Sequence, residues 1–430
     1  MMDQETADRH ERGEHDEGLI QRLAKIMDPQ YQEAYMREQR RQYSQRIGLK
    51  DEPDKHQQVT LESTTQSPVT ANHGPERDTT QAPQTNNSKL AEKKIHQIVS
   101  TRLGYEGHNS RVRRAIGIPE VRNFSPFLML DHFSISAEAG FPDHPHRGQE
   151  TITYVLQGSL DHEDFTGARG TLDKGDLQFM TAGRGVVHAE MPHVVTPEEQ
   201  AAAAAVDDYT PMGSGHDVEG LQLWVDLPVN LKQCEPRYRD LRAAEIPTAR
   251  VGNGNDSFVK VISGEAYGVL SVQDLAYTPV WMLDYVIQPP PSDEDSTPLV
   301  VDQQIPAGFN SFVYVISGSN ITIANHTVGP HTTVFFTANR ANPELIRITV
   351  PPNQVQPSDD KNPLLQNKKK KTRVLIVAGK ILDQPIVQHG PFVEISRDRI
   401  IKAFNDYQTF TNGFERAWGW ASHIGRRLMV

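Results

Sequence analysis

His144 and His146 stand two residues apart in FPDHPHRG, and His188 and Glu190 stand two apart in VVHAEMP. Residues i and i+2 of a β-strand share a face, so each pair can direct two side chains at one point. Two such strands opposed would gather three imidazoles and one carboxylate. That donor set suits a divalent first-row metal, iron(II) above all where coordination positions stay open to water, substrate or oxygen. Zinc competes, because catalytic zinc sites also use His and carboxylate, although usually with three protein ligands or fewer. A single His-x-His would read as a surface feature near a turn. Two matched pairs flanking a run of strands and glycines point to a metal.

The chain between the pairs must then be strand-forming. Thr151 to Gln157 (TITYVLQ) mixes β-branched and aromatic residues and stops at Gly158. Leu160 to Phe165 follows, Gly167 and Gly170 mark a turn, and Gly175-Asp176 opens Leu177 to Thr181. Gly183 and Gly185 then bracket Arg184 just before the second pair. Short strands with a glycine at each reversal predict an all-β barrel, whose interior keeps a metal from bulk water.

The ordered motifs DHPHRG, ET, YVLQG, HED, GD, MTAGRG and HAEMP resemble the signature of the pirin family, two-domain members of the cupin superfamily. The likeness continues through GLQLWVDLP (Gly220 to Pro228), EPRY (Glu235 to Tyr238), QHGPFV (Gln388 to Val393) and NGFERA (Asn412 to Ala417), and so spans roughly Ile95 to the C-terminus. It implies two tandem jelly-roll cupin barrels with a helical tail packing back, and one Fe(2+) in the N-terminal barrel held by His144, His146, His188 and Glu190. It also implies quercetin 2,3-dioxygenase chemistry, in which a flavonol ring is opened by dioxygen and carbon monoxide is released. Glu190 would then leave the metal in part and accept the substrate's hydroxyl proton as catalytic base. The alternative that the resemblance implies is a redox-sensitive transcription co-regulator of nucleus and cytoplasm. It would bind a Rel-type transcription factor, with iron as a switch and not for turnover. A metal-stabilised scaffold with neither activity is the third reading. The sequence departs from the family pattern at Gln149, where an aromatic or other apolar residue is expected, and this bears on the pocket wall.

With 430 residues, the chain has room for two domains plus tails. A hydrophobic fraction of 37% and a mean hydropathy of -0.56 imply a long unfolded segment. The formal charge of -11 argues against direct nucleic-acid binding by the whole molecule. Cys234 is the only cysteine, which excludes an intrachain disulfide and fits a reducing compartment. No apolar run is long enough to span a bilayer, and the acidic, polar start does not look like a signal or transit peptide. Nothing calls for more than a monomer.

The expected organisation is a disordered polar extension over 1–94, a metal-binding N-terminal cupin barrel over 95–228, a C-terminal barrel over 229–372, and a strand with a helical tail over 373–430. Asp28-Pro29 could start a helix running to Ile47 within the extension. Arg102, Arg111, Arg113, Arg114 and Arg122 form the candidate partner-binding surface, or else a charged strand edge that discourages pairing. Val194 to Val218, with five alanines at Ala201 to Ala205, reads as an insertion, either a lid or a tolerated surface loop. Thr153–Ser159 is echoed by Val313–Ser319, and Phe179–Arg184 by Phe335–Arg340, which makes the second barrel a repeat of the first. Laid on that repeat, His144 and His146 fall opposite Gln304 and Pro306, and His188 and Glu190 near Glu344 and Ile346. No imidazole remains there, so the second barrel is expected to bind no metal, with His326 and His331 as turn or surface residues. Lys368 to Arg373 is a basic block that import machinery could read. Ile400, Ile401, Phe404 and Tyr407 share a helical face, and Phe414, Trp418 and Trp420 are expected to anchor the tail to a barrel.

Overall fold

The computed structural model describes residues 90–193, 217–252, 256–291, 297–318, 320–352 and 371–426, all within one compact unit that begins at Gln81. Residues 1–89 of the N-terminal extension, with the Asp28 to Ile47 segment, the Ala201 to Ala205 insertion and Lys368 to Lys370 lie outside the described residues, whereas Lys93, expected within that disordered extension, is buried and pairs with Glu344 at 3.4 Å. Strands dominate, as expected for an all-β chain, and Arg397–Thr409 is an α-helix. Among the described residues no helix is long and apolar enough to cross a membrane.

Each barrel is a seven-stranded sheet facing a four-stranded one. In the first, the large sheet runs in the order Arg237–Leu241, Leu177–Thr181, Gln149–Gln157, Val218–Asp226, Phe127–Ile135, Ser110–Ile116 and Leu103–Glu106. Its partner sheet runs Phe141–His146, Val186–Pro192, Leu160–Asp164 and Arg169–Leu172. The second barrel repeats the plan, with Leu299–Ile305 beside Glu344–Val350 where the first has Phe141–His146 beside Val186–Pro192.

Strand alternation decides what each barrel encloses. The two large sheets pack face to face, and Leu130, Ile152, Tyr154, Leu221 and Leu223 of one join Met282, Phe312, Tyr314, Leu375 and Val377 of the other in one core. Being covered on both sides, these strands are buried along their length; all nine residues of Phe127–Ile135 are buried, Asp131, His132 and Ser134 among them. The residues between the seam positions face inward. In the second barrel they are apolar, including Leu283, Val313, Val315, Val374 and Ile376, and Val301, Ile346 and Ile348 of the four-stranded sheet join the same core. In the first they include Thr153, Gln178 and Gln222, so the two copies share a backbone plan but not an interior.

The hydrogen-bonded strand order crosses the expected limits at 95–228 and 229–372. Ile95–Ser100 pairs with Thr332–Phe336 of the second barrel, whereas Arg237–Leu241 pairs with Leu177–Thr181 of the first. Each covers backbone groups that would otherwise form an open sheet edge.

The tail returns to the first barrel. Ser396 caps the helix by accepting from the Arg399 backbone N–H at 3.3 Å, and Ile400, Ala403, Phe404 and Tyr407 are buried. Phe392 meets Phe404 edge-on with centroids 4.9 Å apart, and Tyr407 meets Phe414 at 5.2 Å. Trp418 departs from its expected anchoring role: it is 43% exposed and rests edge-on against Phe410. Trp420 is half-buried beside Phe165.

Candidate metal centre

Phe141–His146 and Val186–Pro192 pair antiparallel, with His188 opposite His144 and Val186 opposite His146. One ring nitrogen from each of His144, His146 and His188 lies within 4.8 Å of the others. The Nε2 atoms of His144 and His188 are 3.0 Å apart. His144 Nδ1 donates to the Pro142 carbonyl at 2.8 Å, which leaves the Nε2 lone pair facing the cluster. His146 Nε2 is buried and has no hydrogen-bond partner. Burial, reinforced by the neighbouring His144, holds the His146 and His188 imidazoles well below their usual range, so both are neutral near pH 7. A neutral, orphaned nitrogen between two converging imidazoles fits a divalent cation.

Glu190 lies beside this trio. Its Oε2 is 4.0 Å from His188 Nε2. Thr153 Oγ1 donates to Oε1 at 3.0 Å and Gln222 Nε2 donates to Oε2 at 2.8 Å. Gln222 in turn accepts from Trp224 Nε1 at 2.9 Å, and the Trp224 ring stands edge-on to His146 with centroids 5.0 Å apart. Behind Glu190, His162 sits opposite it in the sheet, contacts Gln178 at 3.0 Å and stacks on Tyr238. Burial lowers the His162 pKa, and burial beside Asp164 raises that of Tyr238.

Thr153, His162, Gln222 and Trp224 went unmarked in the sequence. Their signal was there, since Thr153 lies between Ile152 and Tyr154 and Gln222 between Leu221 and Leu223. Alternation places such residues on the face opposite the apolar set, but does not say which face lines the barrel.

The strand bearing the histidines is clamped from outside by the tail. Arg147, 2% exposed, donates through Nε to the Arg184 carbonyl at 2.6 Å and through Nη1 to Asp406 at 2.8 Å, and lies over the Phe414 ring. Asp143 accepts from the Ser422 backbone N–H at 3.1 Å. Gly148 has φ +75°, and a Cβ there would lie 2.0 Å from the Val393 carbonyl oxygen, so only glycine lets the tail approach.

The arginine surface is largely committed within the chain. Arg114 forms a forked pair with Asp131 at 2.8 and 2.7 Å, Arg111 pairs with Asp217, and Arg113 donates to the Thr101 carbonyl. Arg102 and Arg122 are exposed. His326 is exposed, and His331 stands in a turn, as expected, half-buried at the seam between the barrels and 3.3 Å from the Tyr314 hydroxyl. At the equivalent of the histidine strands, the second barrel encloses Val301, Ile305, Ile346 and Ile348.

Two tandem jelly-roll barrels, with a cluster of histidines enclosed in one of them, define a bicupin. Family profiles agree: that described as Pirin matches residues 109–225, and that described as Pirin C-terminal cupin domain matches 300–413. Pirin from Homo sapiens is 38% identical over 338 residues, 77% of this chain and 98% of the human protein. A pirin-like protein from Solanum lycopersicum is 37% identical over 324 residues, 75% of this chain and 94% of its own length. The crystal structure of quercetin 2,3-dioxygenase from Acinetobacter baumannii superposes with a TM-score of 0.58 at 26% identity, covering 74% of this chain and 98% of that one. The chain belongs to the pirin family.

Proposed function

We propose that this chain is an iron(II)-dependent dioxygenase acting on a flavonol-like aromatic substrate, with His144, His146, His188 and Glu190 as the metal-holding residues. The observation that carries this is the convergence of three imidazoles, one with an orphaned Nε2, beside a carboxylate in a polar barrel interior. The likeness to a quercetin 2,3-dioxygenase supports the choice of substrate class. Iron(II) in this centre would supply Lewis-acid binding of the flavonol's 3-hydroxyl and carbonyl region and reactivity toward dioxygen.

The chain's own residues supply orientation and proton transfer. His144, Gln222 and Trp224 are only half-buried, whereas His146, Thr153, His188 and Glu190 are buried. Among the described residues, substrate therefore reaches the centre past the Trp224 ring, which offers an apolar wall with a polar tip. Glu190 is the base that takes the hydroxyl proton, while the Thr153 hydroxyl and Gln222 amide hold its two oxygens in place.

The test is oxygen uptake and carbon monoxide release when anaerobically purified, iron(II)-loaded protein meets quercetin, with His188→Ala beside it. Turnover by wild type alone is expected. Wild type that binds iron but leaves quercetin intact would overturn the enzyme reading and put a non-turnover, redox-switched partner protein in its place.

A further inference from the structure

Gln149, where the sequence departs from the family pattern, is fully buried behind His146. Its Nε2 lies 2.9 Å from His146 Nδ1 and 3.1 Å from the carbonyl oxygen of Pro391 in the tail. Its Oε1 is buried and has no partner. One carboxamide nitrogen thus donates to both the imidazole and the tail, while the oxygen of the same group is left bare, which protein interiors rarely allow.

With Nδ1 accepting, the neutral ring carries its hydrogen on Nε2, the atom that faces His144 and His188. A cation on Nε2 requires the reverse, with the hydrogen on Nδ1 donated to an acceptor behind the ring. Donor would then face donor. A half-turn of the carboxamide removes the conflict and gives Oε1 the Nδ1 hydrogen, while Nε2 moves to the place where Oε1 had no partner. The same half-turn sets Oε1 against the Pro391 carbonyl, so the bond to the tail is lost.

We propose that Gln149 is a positioning residue that couples filling of the three-histidine centre to the C-terminal hairpin of Val387–His389 and Phe392–Glu394. A metal on His146 Nε2 turns the Gln149 carboxamide and releases its bond to Pro391. The hairpin is loosened and not detached, because Val393 still donates to the Arg147 carbonyl at 3.0 Å and Lys232 Nζ to the Val393 carbonyl at 3.2 Å. The inference rests on the metal reading of the centre.

The full chain is stripped of metal and titrated with iron(II) without oxygen and, in parallel, with zinc(II), while hydrogen exchange is followed by mass spectrometry over residues 387–394. In wild type, loading should speed exchange there by about two- to tenfold, the worth of one hydrogen bond. In Gln149→Leu exchange should be fast with or without metal. Gln149→Glu, whose ionised side chain only accepts, should bind metal roughly tenfold more tightly than wild type by calorimetry, and Gln149→Leu more weakly. A purely structural role would weaken metal binding in both variants, and that result overturns the proposal. Metal binding by wild type with unchanged exchange overturns the coupling alone and needs no variant to fold. Absence of any metal uptake by wild type overturns the metal reading and the coupling together.

Discussion

Glu190 is held by its own barrel wall, because each of its oxygens accepts a hydrogen bond, from Thr153 on one side and Gln222 on the other. A carboxylate so restrained is oriented for the site by its own barrel wall. Gln222→Leu should remove one of those donors and leave Trp224 Nε1 without an acceptor. The expected cost is about 1–2 kcal/mol of stability, read by urea unfolding, because both groups lose a net hydrogen bond. Metal affinity should fall by roughly 10–100-fold in the same variant, read by calorimetry. The four residues first singled out were legible because their spacing and type are local properties of two strands. Gln222 was not, because its role depends on Glu190, 32 residues away.

At the scale of elements, the strand Phe141–His146 depends on a helix that follows it by some 250 residues. The buried Arg147 guanidinium closes that distance through Asp406 of the helix, the Asn412 carbonyl and the Phe414 ring. Asp406→Ala would leave a charge buried without its carboxylate, which costs about 3–5 kcal/mol where such pairs are broken from one side. Denaturant unfolding should show that loss, and limited proteolysis should release the tail before the barrels are cut. The sequence marked both the helix, from the spacing of Ile400, Phe404 and Tyr407, and the histidine strand. It set the tail against a barrel without marking that the helix braces this strand, since Arg147 reads locally as a loop residue between a strand and a glycine.

At the scale of the whole molecule, the two barrels meet through buried polar groups as well as the shared apolar core. His132 Nε2 contacts Glu219 at 2.7 Å, its Nδ1 contacts the Tyr314 hydroxyl at 2.8 Å, and Tyr314 reaches on to His331. Burial, with His132 and Arg113 nearby, lowers the His331 pKa from 6.5 to about 4, while Glu219 opposes the shift. Between those values the unfolded chain takes a proton on His331 that the folded chain refuses. Stability is therefore fully present above about pH 6.5 and falls as the pH drops toward 4. His331→Asn, which tolerates the φ of +60° at this position, should make that fall shallower by up to one proton. Thermal melts of the metal-free protein across the window check it. Some slope should remain, because His146, His162, His188 and His389 are shifted in the same direction.

What the sequence by itself determined is what depends on near neighbours. The period of two in the strands, the glycines at reversals, the paired His144/His146 and His188/Glu190, and the repeated barrel motifs are all carried within short windows. Only the tertiary structure decided which face of each strand looks inward, that Ile95–Ser100 and Arg237–Leu241 complete sheets other than those expected, and that three of the five arginines are spent within the chain. The same holds for Gln149, which reads in sequence as an oddity and in space as the bridge from a site imidazole to Pro391. The physical reason is that pairing partners, burial and hydrogen-bond satisfaction are set by residues brought together from tens to hundreds of positions away, and a local pattern records none of those distances.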